Sequence, residues 1–226
     1  MESIEYINFN DVKFNEFPLS TDSAYSLIWS GKYKNKKCAI KMVVLTTGNF
    51  YDKDNNSYVE DGIVIVNEPR CFKKDDKVPF LHTKFLKKRA MSKINFLKEI
   101  ENQKKLEKMN LTPKIYGFFK SHKIKGIQYA FIVMELLDTS LRDLLKIRKI
   151  SESEEIKIVE LIMNMNIKYR IIHRDLKPAN IGIKLSNNKI HKVYVLDCNF
   201  IEIINDDNDE YLEKVIKDIN YFIHTQ

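Results

Sequence analysis

Between His173 and Asn180 the chain reads His-Arg-Asp-Leu-Lys-Pro-Ala-Asn, and Asp197 closes the apolar run Val193-Tyr194-Val195-Leu196. This stretch holds two carboxylates (Asp175, Asp197), the amide of Asn180 and the ammonium of Lys177. Carboxylate and amide oxygens suit a hard cation such as Mg²⁺. An ammonium beside them can offset negative charge on a reacting group. Phosphoryl transfer asks little more of a protein. It needs metal ions to hold phosphates, positive charge where negative charge develops, and a carboxylate to orient the attacking hydroxyl.

At every defined position His173–Asn180 resembles the catalytic loop of eukaryotic-type Ser/Thr protein kinases, with Asp197 placed like their metal-binding aspartate. The resemblance implies Asp175 as base or hydroxyl-orienting group and Lys177 as the γ-phosphate contact. Asn180 and Asp197 would be the Mg²⁺ ligands. Lys177, two residues after Asp175, is typical of the Ser/Thr-directed members. Upstream, Cys38-Ala39-Ile40-Lys41 resembles the strand whose lysine meets the α- and β-phosphates, so Ala39 and Lys41 are expected at the nucleotide. Phe96-Leu97-Lys98-Glu99-Ile100 supplies Glu99 as the helix partner of that lysine, ahead of Glu101. Phe131 to Leu137 resembles the strand into the hinge, with Met134 as gatekeeper and Glu135 and Leu137 offering backbone groups to adenine. Leu27 aligns with the valine that covers the base, and Gly182 stands where a bulky residue usually floors the pocket.

The chain departs from the family at several points. Ser20, Asp22 and Tyr25 stand where a phosphate-covering loop has glycines, which let backbone N–H groups approach phosphates. The metal-ligand motif reads Asp197-Cys198-Asn199, and Gln103 takes an apolar spine position on the Glu99 helix. No Ala-Pro-Glu motif follows, so Arg174 lacks the phosphorylated partner it usually meets. Val215 to Phe222 resembles the helix whose aspartate, here Asp218, anchors the catalytic loop.

These residues need elements to hold them. Ser26–Trp29 and Cys38–Leu45 read as strands, and residues 46–77 as an insertion with a hairpin around Gly62–Val66. Phe80–Leu106 reads as a helix with Ile94, Leu97, Ile100 and Leu106 inward, ended by Thr112-Pro113. Lys114–Ser121 and Gln128–Met134 form a hairpin. Ser151-x-x-Glu154 is a capping box opening a helix that is apolar on several sides through Ile156, Val159, Ile162, Met163, Met165 and Ile167, as suits a buried helix. Two short strands and a last helix, about Asp209–Ile223, complete the chain.

The expected fold is α+β: a bilobal, protein-kinase-like fold with an antiparallel-sheet N-lobe over 1–136 and a reduced, mainly helical C-lobe over 137–226. The 226 residues suffice for one such domain. No apolar run suggests a signal peptide or membrane span. Cys38, Cys71 and Cys198 are too few and too scattered for a disulfide framework or zinc site, which points to a reducing compartment, the cytoplasm (host cytoplasm or virion for a viral source). The net charge of +7 reads as a solvated lysine-rich surface, because no aromatic interleaving accompanies it, and nucleic acid is not an expected partner. Expected function is transfer of the γ-phosphate of ATP, with Mg²⁺, to Ser/Thr hydroxyls of a protein substrate, with an activating or targeting protein partner as a further expectation. The alternative is a pseudokinase binding module that modulates another kinase or a host pathway.

Overall fold

A computed structural model describes residues 5–20, 26–46, 51–52, 57–60, 63–66, 88–89, 91–120, 128–204 and 209–224. The fold is mixed α+β with antiparallel sheets. The chain forms two compact units, the first from Met1–Leu97 and Ile115–Leu136, the second from Lys98–Lys114 and Leu137–Gln226. Residues 1–136 were expected as one block; Lys98–Lys114 instead belongs with the second unit.

In the first unit β1 (Val12–Ser20), β2 (Ser26–Tyr33) and β3 (Lys36–Thr46) run antiparallel. Lys34 and Asn35, with φ of 45° and 65°, make the β2–β3 turn, where positive φ at both positions matches the strand twist. Gly31 is required by close packing, since a Cβ there would lie 2.2 Å from the Lys13 carbonyl oxygen. The insertion does form a hairpin. β4 (Tyr51–Asp52), β5 (Ser57–Glu60), β6 (Ile63–Val66) and β7 (Lys88–Arg89) make a separate sheet in that order. β8 (Met91–Ser92) pairs parallel with the end of β3.

Helix α1 spans Lys93–Lys108, a later start than the expected Phe80. The Ser92 hydroxyl accepts the Asn95 N–H at 3.1 Å and caps its first turn. Residues 80–87 lie outside the described residues. The inward phase is also different: Phe96, Glu99, Ile100, Gln103 and Leu106 are buried, whereas Ile94 and Leu97 are exposed. Asn110, at φ 58°, ends the helix in the left-handed conformation before Thr112-Pro113 is reached. β9 (Ile115–Lys120) and β10 (Gln128–Glu135) then complete the main sheet in the order β1-β2-β3-β10-β9, with β10 antiparallel to both neighbours. One face of that sheet is an aromatic core of Leu27, Trp29, Ile40, Met42, Phe119 and Phe131, the last two rings stacked at 4.5 Å.

In the second unit β11 (Thr139–Ser140) leads into α2 (Leu141–Ile147). α3 (Glu152–Met163) starts at the expected capping box, with the Ser151 N–H donating to Glu154 Oε2 at 2.9 Å, and continues as a π turn over Asn164–Lys168. Ile158, Leu161, Ile162 and Met165 face the core. Ile156, Val159, Met163 and Ile167, expected inside, are exposed. A leading β12 (Ile171–Ile172) pairs with β15 (Glu202–Ile203), and β13 (Ile181–Ser186) with β14 (Lys189–Val195) through an Asn187-Asn188 turn of positive φ. Helix α4 (Asp209–His224) closes the unit. Among the described residues, no helix is long and apolar enough to cross a membrane.

Candidate active site

β12 delivers the chain into the His173–Asn180 loop and β13 takes it away. Loops of this kind need anchors, because their backbone groups have no ladder to satisfy them. Asp218, buried on α4, is the main anchor. Its two oxygens accept the backbone N–H of His173 and of Arg174, each at 2.9 Å, and the Asn166 amide at 3.3 Å. This is the role expected of Asp218. His173 is fully buried; its Nε2 lies 2.8 Å from the Leu196 carbonyl and its Nδ1 3.3 Å from the Asp175 N–H. Those partners assign the ring proton to Nε2. Pro178 opens a 3-10 turn over Pro178–Asn180, where its fixed φ suits a first position.

The loop brings three of the predicted residues together. Lys177 Nζ donates to Asp175 Oδ2 at 2.7 Å and Oδ1 at 2.9 Å. Asn180 Nδ2 donates to the Asp175 carbonyl at 2.8 Å and to Oδ2 at 3.0 Å. A half-buried carboxylate, an ammonium and an amide thus share one point. Because Asn180 commits its nitrogen to Asp175, its oxygen is the atom available as an acceptor.

Asp197 reaches the same loop through its neighbour, the Leu196 N–H donating to the Asn180 carbonyl at 2.8 Å. Its backbone is left-handed, at φ 59° and ψ 64°, and Asn199 Nδ2 donates to Oδ1 at 2.7 Å. Positive φ falls on Asp197 itself, while Asn199 lies in the 3-10 turn that follows. Non-glycine residues held this way cluster at functional sites, and Arg174, at φ 69°, is another. Cys198 is a buried thiol whose carbonyl accepts the Asn102 amide at 3.1 Å. The oxygens of Asp197 and Asn180 fit a hard divalent cation that takes its remaining ligands from phosphate and water.

In the first unit, strand register places Ala39, Lys41, Ile132 and Met134 on one sheet face, with Ile28 opposite Lys41. Ala39, Lys41 and Met134 are buried. Leu27, predicted beside them, pairs with Met42 and points into the aromatic core on the other face. The residue beside Lys41 is therefore Ile28, and a one-residue shift in the motif alignment accounts for the difference, since side chains alternate along a strand. Glu135 is half-buried opposite Cys38, whose thiol burial pushes up to about 11. Asp22 and Tyr25 lie outside the described residues, as does Cys71.

The other predicted residues belong to the second unit. Glu99 is buried there on α1. Gln103, also buried, donates to the Pro113 carbonyl at 3.5 Å, and its own carbonyl accepts the Thr112 hydroxyl at 3.1 Å. Leu137 packs on Gly182: a Cβ on Gly182 would sit 2.2 Å from Leu137 Cδ1 and 3.2 Å from Leu196. The volume that a side chain at 182 would fill is thus taken by Leu137.

Two carboxylates carry more than the sequence indicated. Glu202 accepts from the Arg174 guanidinium and from Lys214 Nζ, the latter at 3.2 Å. The Lys214 bond, then the Arg174 charge, holds its carboxyl below the usual range against the opposing effect of burial. Arg174, expected to lack a phosphorylated partner, is paired instead with the Glu202 carboxylate. Glu154, beyond its capping role, receives Arg148 at 2.7 and 2.9 Å and the Ile190 N–H at 2.7 Å. A lone Glu on the two-residue strand β15 and an Arg three residues before the Ser151 cap leave no pattern by which sequence could find them. No protein-family model matches this chain, and no curated protein matches it.

Proposed function

We propose that this chain is a Mg²⁺- and ATP-dependent protein kinase that phosphorylates Ser/Thr hydroxyls, built on a bilobal kinase-like fold. The observation that carries the reading is the Asp175–Lys177–Asn180 cluster, held from below by Asp218. The antiparallel order β1-β2-β3-β10-β9, with Ala39, Lys41 and Met134 on one buried face, supports it.

In this reading Asp175 accepts a hydrogen bond from the substrate hydroxyl and takes its proton as the oxygen bonds to the γ-phosphorus. The bond from that phosphorus to the β,γ-bridging oxygen breaks, and ADP leaves. Lys177, which bridges Asp175 here, can turn its ammonium to the γ-phosphoryl oxygens, where charge develops. Asn180 and Asp197 would hold Mg²⁺, which neutralises the phosphates when bound. Asn180 also fixes the Asp175 carboxylate through Nδ2, so one side chain serves both ends of the reaction. Lys41 would meet the α- and β-phosphates, and Glu202 keeps Arg174 from competing for Asp175.

The test is transfer of labelled γ-phosphate to a panel of Ser/Thr proteins, comparing wild type with Asp175→Asn. Transfer by the wild type alone supports the proposal. Equal transfer by both, or none by either, contradicts it. A second reading, a kinase-like binding module, is favoured by the absence of glycine from Ser20 to Tyr25. A thermal-shift titration with Mg-ATP separates the two, because a ligand bound only to the native state raises its stability. A shift abolished by Asp197→Asn argues against a module that ignores nucleotide.

A further inference from the structure

Helix α3 and the π turn that continues it carry four apolar side chains that their own unit leaves uncovered. Ile156, Val159, Met163 and Ile167 are 51, 52, 52 and 58 % exposed. Their spacing of three, four and four residues puts them in one stripe, on the side away from the buried Ile158, Leu161, Ile162 and Met165. Scattered exposed apolar residues need no explanation, but a continuous stripe along three turns of helix marks an interaction surface.

The charges beside the stripe say what fits it. Exposed acids, Glu152, Glu155 and Glu160, lie along its N-terminal part, whereas its C-terminal end carries Lys168 and then Arg170. An identical helix laid antiparallel brings the acidic end of each against the basic end of the other. The register that stacks Ile156 on Ile167 and Val159 on Met163 also sets Glu155 near Lys168 and Glu160 near the Asn164 amide. Antiparallel alignment pairs the helix dipoles favourably too. Such a surface is self-complementary about a two-fold axis, as a closed dimer requires. A parallel pairing would align acids with acids.

We infer that the α3 stripe is the contact of a two-fold homodimer, with a second copy of this chain as its occupant. This goes beyond the proposed phosphoryl transfer and does not depend on it. Neither Ile156, Val159, Met163, Ile167 nor the flanking charges belong to the candidate site, so loss of the contact and loss of the chemistry are separable.

The experiment is sedimentation equilibrium of the full chain over a concentration series, with circular dichroism as the check on folding. The wild type is expected to dimerise. Val159→Glu and Met163→Glu, each on an exposed position, are expected to be monomeric with an unchanged spectrum. The paired change Glu152→Lys with Glu155→Lys should weaken the dimer at least tenfold, and adding Lys168→Glu should recover part of that loss. A wild type that stays monomeric at every concentration overturns the inference and leaves the stripe to a different partner. A dimer that survives both Val159→Glu and Met163→Glu also overturns it. Lys168→Glu deepening the loss instead of relieving it refutes the antiparallel register.

Discussion

Replacing Asp218 with alanine removes the carboxylate that holds the His173–Asn180 loop, and its cost follows from the bonds it makes. The His173 N–H is fully buried and donates to a charged oxygen at 2.9 Å. Left without an acceptor, it costs about 2–3 kcal/mol. The Arg174 N–H is only partly buried, so water can replace Asp218 there at about 1 kcal/mol. The longer bond from Asn166, at 3.3 Å, adds about 0.5 kcal/mol. The expected loss is about 4 kcal/mol, a large share of an ordinary domain's stability of about 5–15 kcal/mol. Asp218→Asn keeps one acceptor oxygen and turns a donor toward the other N–H, so it should fall between wild type and alanine. Urea unfolding followed by far-ultraviolet circular dichroism measures the loss. Native-state hydrogen exchange locates it, with the His173 and Arg174 amides the ones to lose protection first. An alanine variant that loses under about 1 kcal/mol, or unchanged exchange at His173, would refute the anchoring argument.

Glu154 makes stability pH-dependent. Its carboxyl is held well below the usual range, first by the Arg148 hydrogen bond and then by the backbone N–H groups of Ser151 and Ile190, against the upward effect of burial. A lowered folded-state value means the contribution is complete above the ordinary glutamate range and fades as pH falls through and below it. Glu154→Gln should flatten the acid limb of the stability curve, and an unchanged limb rejects the assignment. Glu202→Gln should cost within about 1 kcal/mol of stability, because Arg174 and Lys214 are partly exposed, yet it should slow phosphate transfer roughly three- to tenfold by freeing Arg174 beside Asp175. Rates equal to wild type would dismiss that role. Gly182→Ala should destabilise by about 1–3 kcal/mol through its clash with Leu137, and Leu137→Ala in the same chain should recover at least about 0.5 kcal/mol of it. Strict additivity would show the two are not in contact.

The meeting of the loop side chains was readable in sequence because it is local. Asp175, Lys177 and Asn180 lie within one turn-rich segment whose spacing and Pro178 dictate their meeting. The capping box at Ser151 was legible for the same reason. Facing was harder. Leu27 and Ile28 are both apolar, and only the pairing with Met42 and Lys41 decides which side each takes. In α1, Phe96 rather than Ile94 fixes the inward phase, and in α3 the apolar residues exceed what the core can cover. Long-range partners such as Glu202 for Arg174, or Leu137 for Gly182, depend on chain crossings that no local pattern encodes.

The central proposal is that Asp175, braced by Lys177 and Asn180, orients a hydroxyl for phosphate transfer from Mg-ATP. Its most direct test is the single-turnover rate of labelled phosphate transfer in wild type and Asp175→Asn, with Mg-ATP binding measured alongside. The expected result is a drop of about 10²–10⁴-fold in the rate with binding nearly unchanged, the range for loss of one positioned base. An Asp175→Asn chain that transfers phosphate as fast as the wild type would contradict it.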